Sequence, residues 1–129
     1  MPGETKWVSL MTKIASGTIH ANLSSKANSR RFIRPGLIIK SKPAMAFMEA
    51  AALSIPQMTE LYEGPVSLTA HVYYKTRKND LSIELLMDAL QGRVFQNDRQ
   101  VEHIIATKSW DKTDPRIEWK VLKYDRDNT

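Results

Sequence analysis

Asp80, Glu84 and Asp88 follow one another at four-residue steps in the stretch NDLSIELLMDALQG, and Asp98 comes shortly after, in FQNDRQV. In a helix turning about 100° per residue, each such step advances only about 40°, so the three acids would form one narrow stripe. Ile83, Leu86, Met87 and Leu90 fall on one side of it, and Leu81, Leu85 and Ala89 on the other. A helix with one solvated face carries a single apolar stripe. Here the acids lie between two faces that favour burial, which makes the stripe the floor of a groove. Like charges at this spacing repel, and more strongly as water is excluded. Two arrangements relieve that repulsion. One is a divalent cation, for which hard carboxylate oxygens select magnesium, manganese or calcium. The other is neutralisation by Lys and Arg from neighbouring strands. Asp98, taken alone, also suits a turn.

Cations crowd the same region of the sequence. Lys75, Arg77 and Lys78 come directly before the acids, while Lys26, Arg30, Arg31, Arg34, Lys40 and Lys42 occupy a stretch with no acid between residues 22 and 48. The 129 residues carry a formal net charge of +5, and the pI is near 9.6. Such a balance favours a polyanionic ligand, although a solvated basic face would look the same. Basic residues flanking an acidic groove are what phosphodiester cleavage needs: cations hold the backbone, and carboxylates hold metal at the scissile phosphate. Other chemistries lack a signature. Without cysteine there is no thiol nucleophile, disulfide or zinc-thiolate site. His20, His71 and His103 lie in separate strand-like segments without ligand spacing and read as structural. No GxGxxG, GxxxxGK or GxSxG motif occurs. Tyr73 and Tyr74 are neighbours on a strand, so one of them is core and the other is free to meet a base.

The elements that must position these residues form one α+β domain over residues 1–129, a mixed sheet with two principal helices and a frayed tail at about 125–129. KWVSLMTKI and GTIHANL alternate as edge strands, and SSKANSRRFIRPGLIIKSK reads as a basic loop and hairpin. SKPAMAFMEAAALS is a helix that Ser41 can cap, with Pro43 in its first turn. PVSLTAHVYY is the clearest strand. The second helix is expected from Asp80 to Gln91, stopped by Gly92. QVEHIIATKSW and RIEWKVLKY are two further strands joined by the turn DKTDP. No run reaches the roughly 18 apolar residues of a membrane span, and the N-terminal stretch is unlike a signal peptide, so a cytoplasmic setting is expected.

DLSIELLMDALQGRVFQNDRQVEHIIATK followed by DPRIEW resembles the RusA family of phage and prophage Holliday-junction resolvases. Asp88-Ala89-Leu90, Gly92, Asp98, Gln100-Val101, Lys108 and Pro115-Arg116-Ile117-Glu118 match its pattern, and SKANSRRFIRPG and IIKSKPAMAF resemble its early basic loop and first helix. There are departures. The family's Asp-x-Asp has one acid missing here: counted back from Asp88 its first acid falls on Lys78, and matched by the local NDL its second falls on Ser82. Glu84 stands where the family has a Lys, and Asn97 replaces the first Asp of an Asp-Asp pair. The resemblance implies a homodimeric, magnesium-dependent (or manganese-dependent) endonuclease that resolves four-way DNA junctions in a bacterial host. It makes Asp80, Asp88 and Asp98 metal ligands, with Glu84 as a fourth ligand or a group behind them, and gives Lys108 the task of stabilising charge at the phosphate. Phosphate contacts would come from Lys26, Arg30, Arg31, Arg34, Lys40, Lys42, Lys75, Arg77 and Lys78. The departures favour a second reading, a junction-binding protein on the same fold that does not cut. A nuclease acting on flaps or RNA is a third.

Overall fold

From Val66 to Tyr74, apolar side chains alternate with Ser67, Thr69, His71 and Tyr73, a period of two that gives a strand one buried face and one polar face. The computed structural model describes residues 12–23, 30–34, 37–77 and 79–125, with backbone only at 30–34 and 37–40. In chain order its elements are β1 (Lys13–Ile19), β2 (Arg30–Arg34), β3 (Leu37–Lys40), α1 (Lys42–Ser54), β4 (Val66–Tyr74), α2 (Glu84–Leu90), β5 (Val101–Trp110) and β6 (Arg116–Lys123); a short 3-10 turn, Asp98–Gln100, leads into β5. The fold is α+β, with a mixed four-stranded sheet ordered β1-β6-β4-β5 and a separate β2–β3 hairpin.

The alternating segment becomes the centre of the sheet. β4 pairs antiparallel with β6 and parallel with β5, while β1 closes the other edge against β6. One sheet face supplies Leu68, Val72, Tyr74, Ile117 and Val121 to the core, opposite Ala44, Phe47 and Ala51 of α1 and Leu85, Leu86 and Leu90 of α2. Burying each of the larger side chains contributes about 1.5–3 kcal/mol. On β1, Gly17 lies under the Trp119 ring, where a Cβ would come within 3.2 Å of it. A side chain there would require the Trp119 ring to give way by a few tenths of an ångström.

α1 begins as its sequence directs. The Ser41 side chain accepts from the Ala44 amide at 3.4 Å, and Pro43 sits in the first turn. Elsewhere the structure adds pairing that the sequence left open and changes the bounds of one helix. Among the described residues the N-terminal segments supply β1, which ends at Ile19; residues 1–11, with most of KWVSLMTKI, lie outside the described residues, as do 126–129 of the expected tail. β5 and β6 are both strands, yet they do not form a hairpin, because β4 lies between them. The turn joining them spans the end of β4, where the Asp111 amide donates to the Tyr74 carbonyl at 2.7 Å. Finally, the second helix is shorter than expected, starting at Glu84 and ending at Leu90. Gly92 does mark its end, with a φ of 83° that a side chain would disfavour.

Candidate active site

The shortened helix changes where the acids stand. Glu84 and Asp88 remain one turn apart on α2, with Leu85, Leu86, Ala89 and Leu90 buried around them. Asp80 is off the helix, exposed on an irregular segment. That segment is held from the sheet. The buried Tyr74 hydroxyl donates to the Asp80 carbonyl at 3.0 Å and accepts from the Ser82 amide at 3.1 Å. Lys108, on the neighbouring strand β5, donates from Nζ to the Asn79 carbonyl at 2.9 Å, and the Thr76 hydroxyl donates to Asn79 Oδ1 at 3.1 Å. Burial, and then the negative charge of Asp80, raise the Tyr74 pKa, with the Ser82 bond opposing them. The phenol therefore stays neutral and keeps its proton on the Asp80 carbonyl.

Tyr74 and Trp110 are paired at the carboxyl ends of the parallel β4–β5 pair. Ligands of open sheets with parallel strands gather beyond such ends. The Asp80 segment is tied to this edge, and the side chains of Asp80, Lys75, Arg77 and Lys108 are all exposed.

Asp98 is anchored at the other end of the same strand pair, just before Val101 meets Val66. Its amide donates to Gln91 Oε1 at 2.7 Å. Gln100 clamps this turn: Nε2 donates to the carbonyls of Tyr62 and Gly64, each at 2.8 Å, and Oε1 accepts from the Asn97 amide at 2.8 Å. Asn97 returns the favour by accepting from the Arg99 amide at 2.9 Å, completing a capping box. Among the described residues, no three His, Asp or Glu side chains stand together as a cation site. The proposed ligands Asp80, Glu84, Asp88 and Asp98 thus line the α2 crossover rather than a single cage.

A family model for the endodeoxyribonuclease RusA matches residues 22–122. The chain belongs to the RusA family. This is a family of endodeoxyribonucleases, the Holliday-junction resolvases. No curated protein matches the chain.

Besides the acids and Lys108, residues matched to the RusA pattern hold turns or pair within the sheet. Gly92 and Gln100 shape the turns that carry the acids. Arg116 and Glu118 lie on the sheet face away from the helices, paired with Tyr73 and His71. Arg116 stacks 3.8 Å over Tyr73 and binds Asp111 at 3.0 Å and Glu118 at 3.1 Å. These are structural positions. The departures from the RusA pattern have local reasons as well. Asn97 caps its turn with an amide oxygen where a carboxylate would serve equally. Glu84 opens α2, where the helix dipole welcomes a negative charge. Lys78, the alternative site of the missing acid, lies outside the described residues, as does Lys26.

Among the other cations, Lys42 begins α1 and is exposed. Arg30, Arg31, Arg34 and Lys40 belong to the β2–β3 hairpin, with Arg30 opposite Lys40; their side chains lie outside the described residues. Each histidine has a hydrogen-bond partner, His20 Nδ1 meeting Asp114 at 3.1 Å. His103 Nδ1 shares a 2.7 Å hydrogen bond with Ser67, and His71 Nε2 one of 2.9 Å with Ser109. Of the tyrosine pair, Tyr74 is the buried member. Sequence reasoning missed Asn79, Gln91 and Trp110, and it did not tell which of Tyr73 and Tyr74 is buried or that the buried hydroxyl holds the Asp80 segment. Only the exposure of an aromatic at a strand end would have signalled Trp110, and a sequence does not display exposure.

Proposed function

We propose that this RusA-family chain is a divalent-metal-dependent, structure-selective endonuclease that cuts four-way DNA junctions. The observation carrying this reading is the Asp80 segment, clamped by Tyr74 and Lys108 at one sheet edge amid exposed basic side chains. Carboxylate and cations thereby share a small surface, as a phosphate with its counterion requires.

The donor chemistry fits magnesium or manganese, since Asp80, Glu84, Asp88 and Asp98 offer only hard oxygens; Asp80 at the cationic edge is the first ligand of one ion, and Asp98, at the other end of the strand pair, lies apart from it. A cage of three protein ligands is not required, because magnesium commonly takes one or two carboxylates and completes its shell with water and substrate phosphate. When bound, such an ion activates water for in-line attack and stabilises the departing oxygen. The protein's own residues position the substrate. Lys108 holds the Asn79 carbonyl and keeps its positive charge beside Asp80, where negative charge builds on the phosphate. Lys75 and Arg77 hold the backbone on either side. Two copies of the chain related by a two-fold axis would place two such sites on symmetric strands of one junction, in the cytoplasm of a bacterial host. A second reading, junction binding without cleavage, draws support from the separation of the acids.

A synthetic four-way junction incubated with the protein, with and without magnesium, decides between them. The proposal expects cleavage in magnesium, and loss of cleavage in Asp80→Asn with junction binding unchanged or tighter, because a negative charge beside the phosphates is gone. Binding without cleavage by the wild-type protein at every magnesium and manganese concentration would establish the second reading instead.

A further inference from the structure

At the carboxyl end of β5, Trp110 leaves 51% of its surface exposed although its strand partner Tyr74 is buried. The Arg77 guanidinium lies 3.7 Å from the centroid of its ring. Thr76, Arg77, Lys108, Ser109 and Trp110 line a half-open cavity of about 200 Å³. Sites for drug-sized ligands run to roughly 300–1,000 Å³, so this one suits a single planar group. The bonds that hold the Asp80 segment come from Tyr74, Lys108 and Thr76, and none of them from Trp110 or Arg77.

We propose that this cavity binds one unpaired nucleobase, stacked on Trp110 beside Arg77, with its phosphate near Lys108. Stacking on an indole is available to any base and needs the base out of its duplex. Arginine above an aromatic ring extends that platform and supplies charge for the backbone. A protein ligand fits less well, since interface cores are depleted of lysine. The site adjoins the Asp80 segment through Lys108, so a base held there would fix the strand passing Asp80 and favour DNA with open base pairs. The inference rests on DNA being the ligand, but it is tested by binding alone.

The test compares a single-stranded oligodeoxynucleotide with a blunt duplex of equal length, in chelator, for wild type, Trp110→Ala and Trp110→Phe. Trp110→Ala is expected to weaken single-strand binding by roughly 5- to 100-fold with duplex affinity little changed, and Trp110→Phe to keep most of the preference. The oligonucleotide should quench a part of the tryptophan emission that Trp110→Phe lacks. Equal losses on both DNAs, no loss on either, or a change of oligomeric state without a change of preference would overturn it. A wild-type protein that cuts junctions while Trp110→Ala keeps its single-strand preference would end this inference and leave the proposed activity standing.

Discussion

Tyr74 and Lys108 reach the same short segment from adjacent strands, one through a hydroxyl and the other through an ammonium. Each bonds to backbone, so what they fix is the path of residues 79–82 and only through it the direction of Asp80. The two differ in what their loss would leave behind. Lys108 is exposed, and water would replace its bond to Asn79. Tyr74 is 1% exposed, and its hydroxyl satisfies both an acceptor and a donor. Tyr74→Phe keeps the packing but strands the Asp80 carbonyl and the Ser82 amide. Unpaired groups of this kind cost about 1–3 kcal/mol. Urea denaturation should show a loss of that size, and junction cleavage should slow because Asp80 is no longer held. Wild-type stability together with a wild-type rate would show that the hydroxyl positions nothing.

At the scale of elements, the same bonds explain why part of the site was hidden in the sequence. The period of NDLSIELLMDALQG is helical from its first residue, and Ile83, Leu85, Leu86, Ala89 and Leu90 are buried as that period requires, whereas Leu81, ahead of the helix, is exposed. Yet the groups a helix would use at Asp80 and Ser82 are captured by a tyrosine on β4, a tertiary bond that no local pattern reports. α2 therefore starts at Glu84, and the expected stripe of three acids becomes two on a helix and one on a loop. Strands β5 and β6 were legible from alternation, but not the insertion of β4 between them, since alternation says nothing about which strands pair. The connection between them is instead held by Asp111, which accepts from the Thr113 hydroxyl and the Thr113 and Asp114 amides and pairs with Arg116. The Thr113 hydroxyl first, then the Asp114 amide and Arg116, hold the Asp111 carboxyl below the usual carboxylate range. A group whose pKa is depressed on folding stabilises the fold above its unfolded value, near 3.9, and the gain fades as pH falls through the folded value. Arg116 is itself raised, through Glu118 first, and stays charged throughout. Asp111→Asn should thus melt below wild type at neutral pH, and the gap should close below about pH 4. A gap of constant size across that range would show that the ionised carboxylate is not what latches the turn.

Across the whole molecule, positive charge is not spread evenly. Residues 22–48 contain no acid, and their cations include Arg30, Arg31, Arg34 and Lys40 of a hairpin that is separate from the four-stranded sheet. The acids proposed to hold metal lie along the α2 crossover, between β4 and β5. Grip and chemistry would then be assigned to different elements, the hairpin supplying affinity for any DNA and the β4–β5 edge supplying the cut. Such a division has a thermodynamic signature. Phosphate contacts release counterions, so each one lost flattens the slope of log K against log salt by about 0.9. Arg30→Ala combined with Arg31→Ala should weaken four-way junction and plain duplex binding together and lower the slope by up to about 1.8. The melting temperature should hold if these arginines serve DNA rather than the fold. Affinity measured by anisotropy over a series of salt concentrations gives the slope directly. If affinity and slope are both unchanged, the hairpin arginines serve solubility and the DNA is gripped elsewhere, leaving Lys75, Arg77 and Lys108 at the β4–β5 edge as the surface to test.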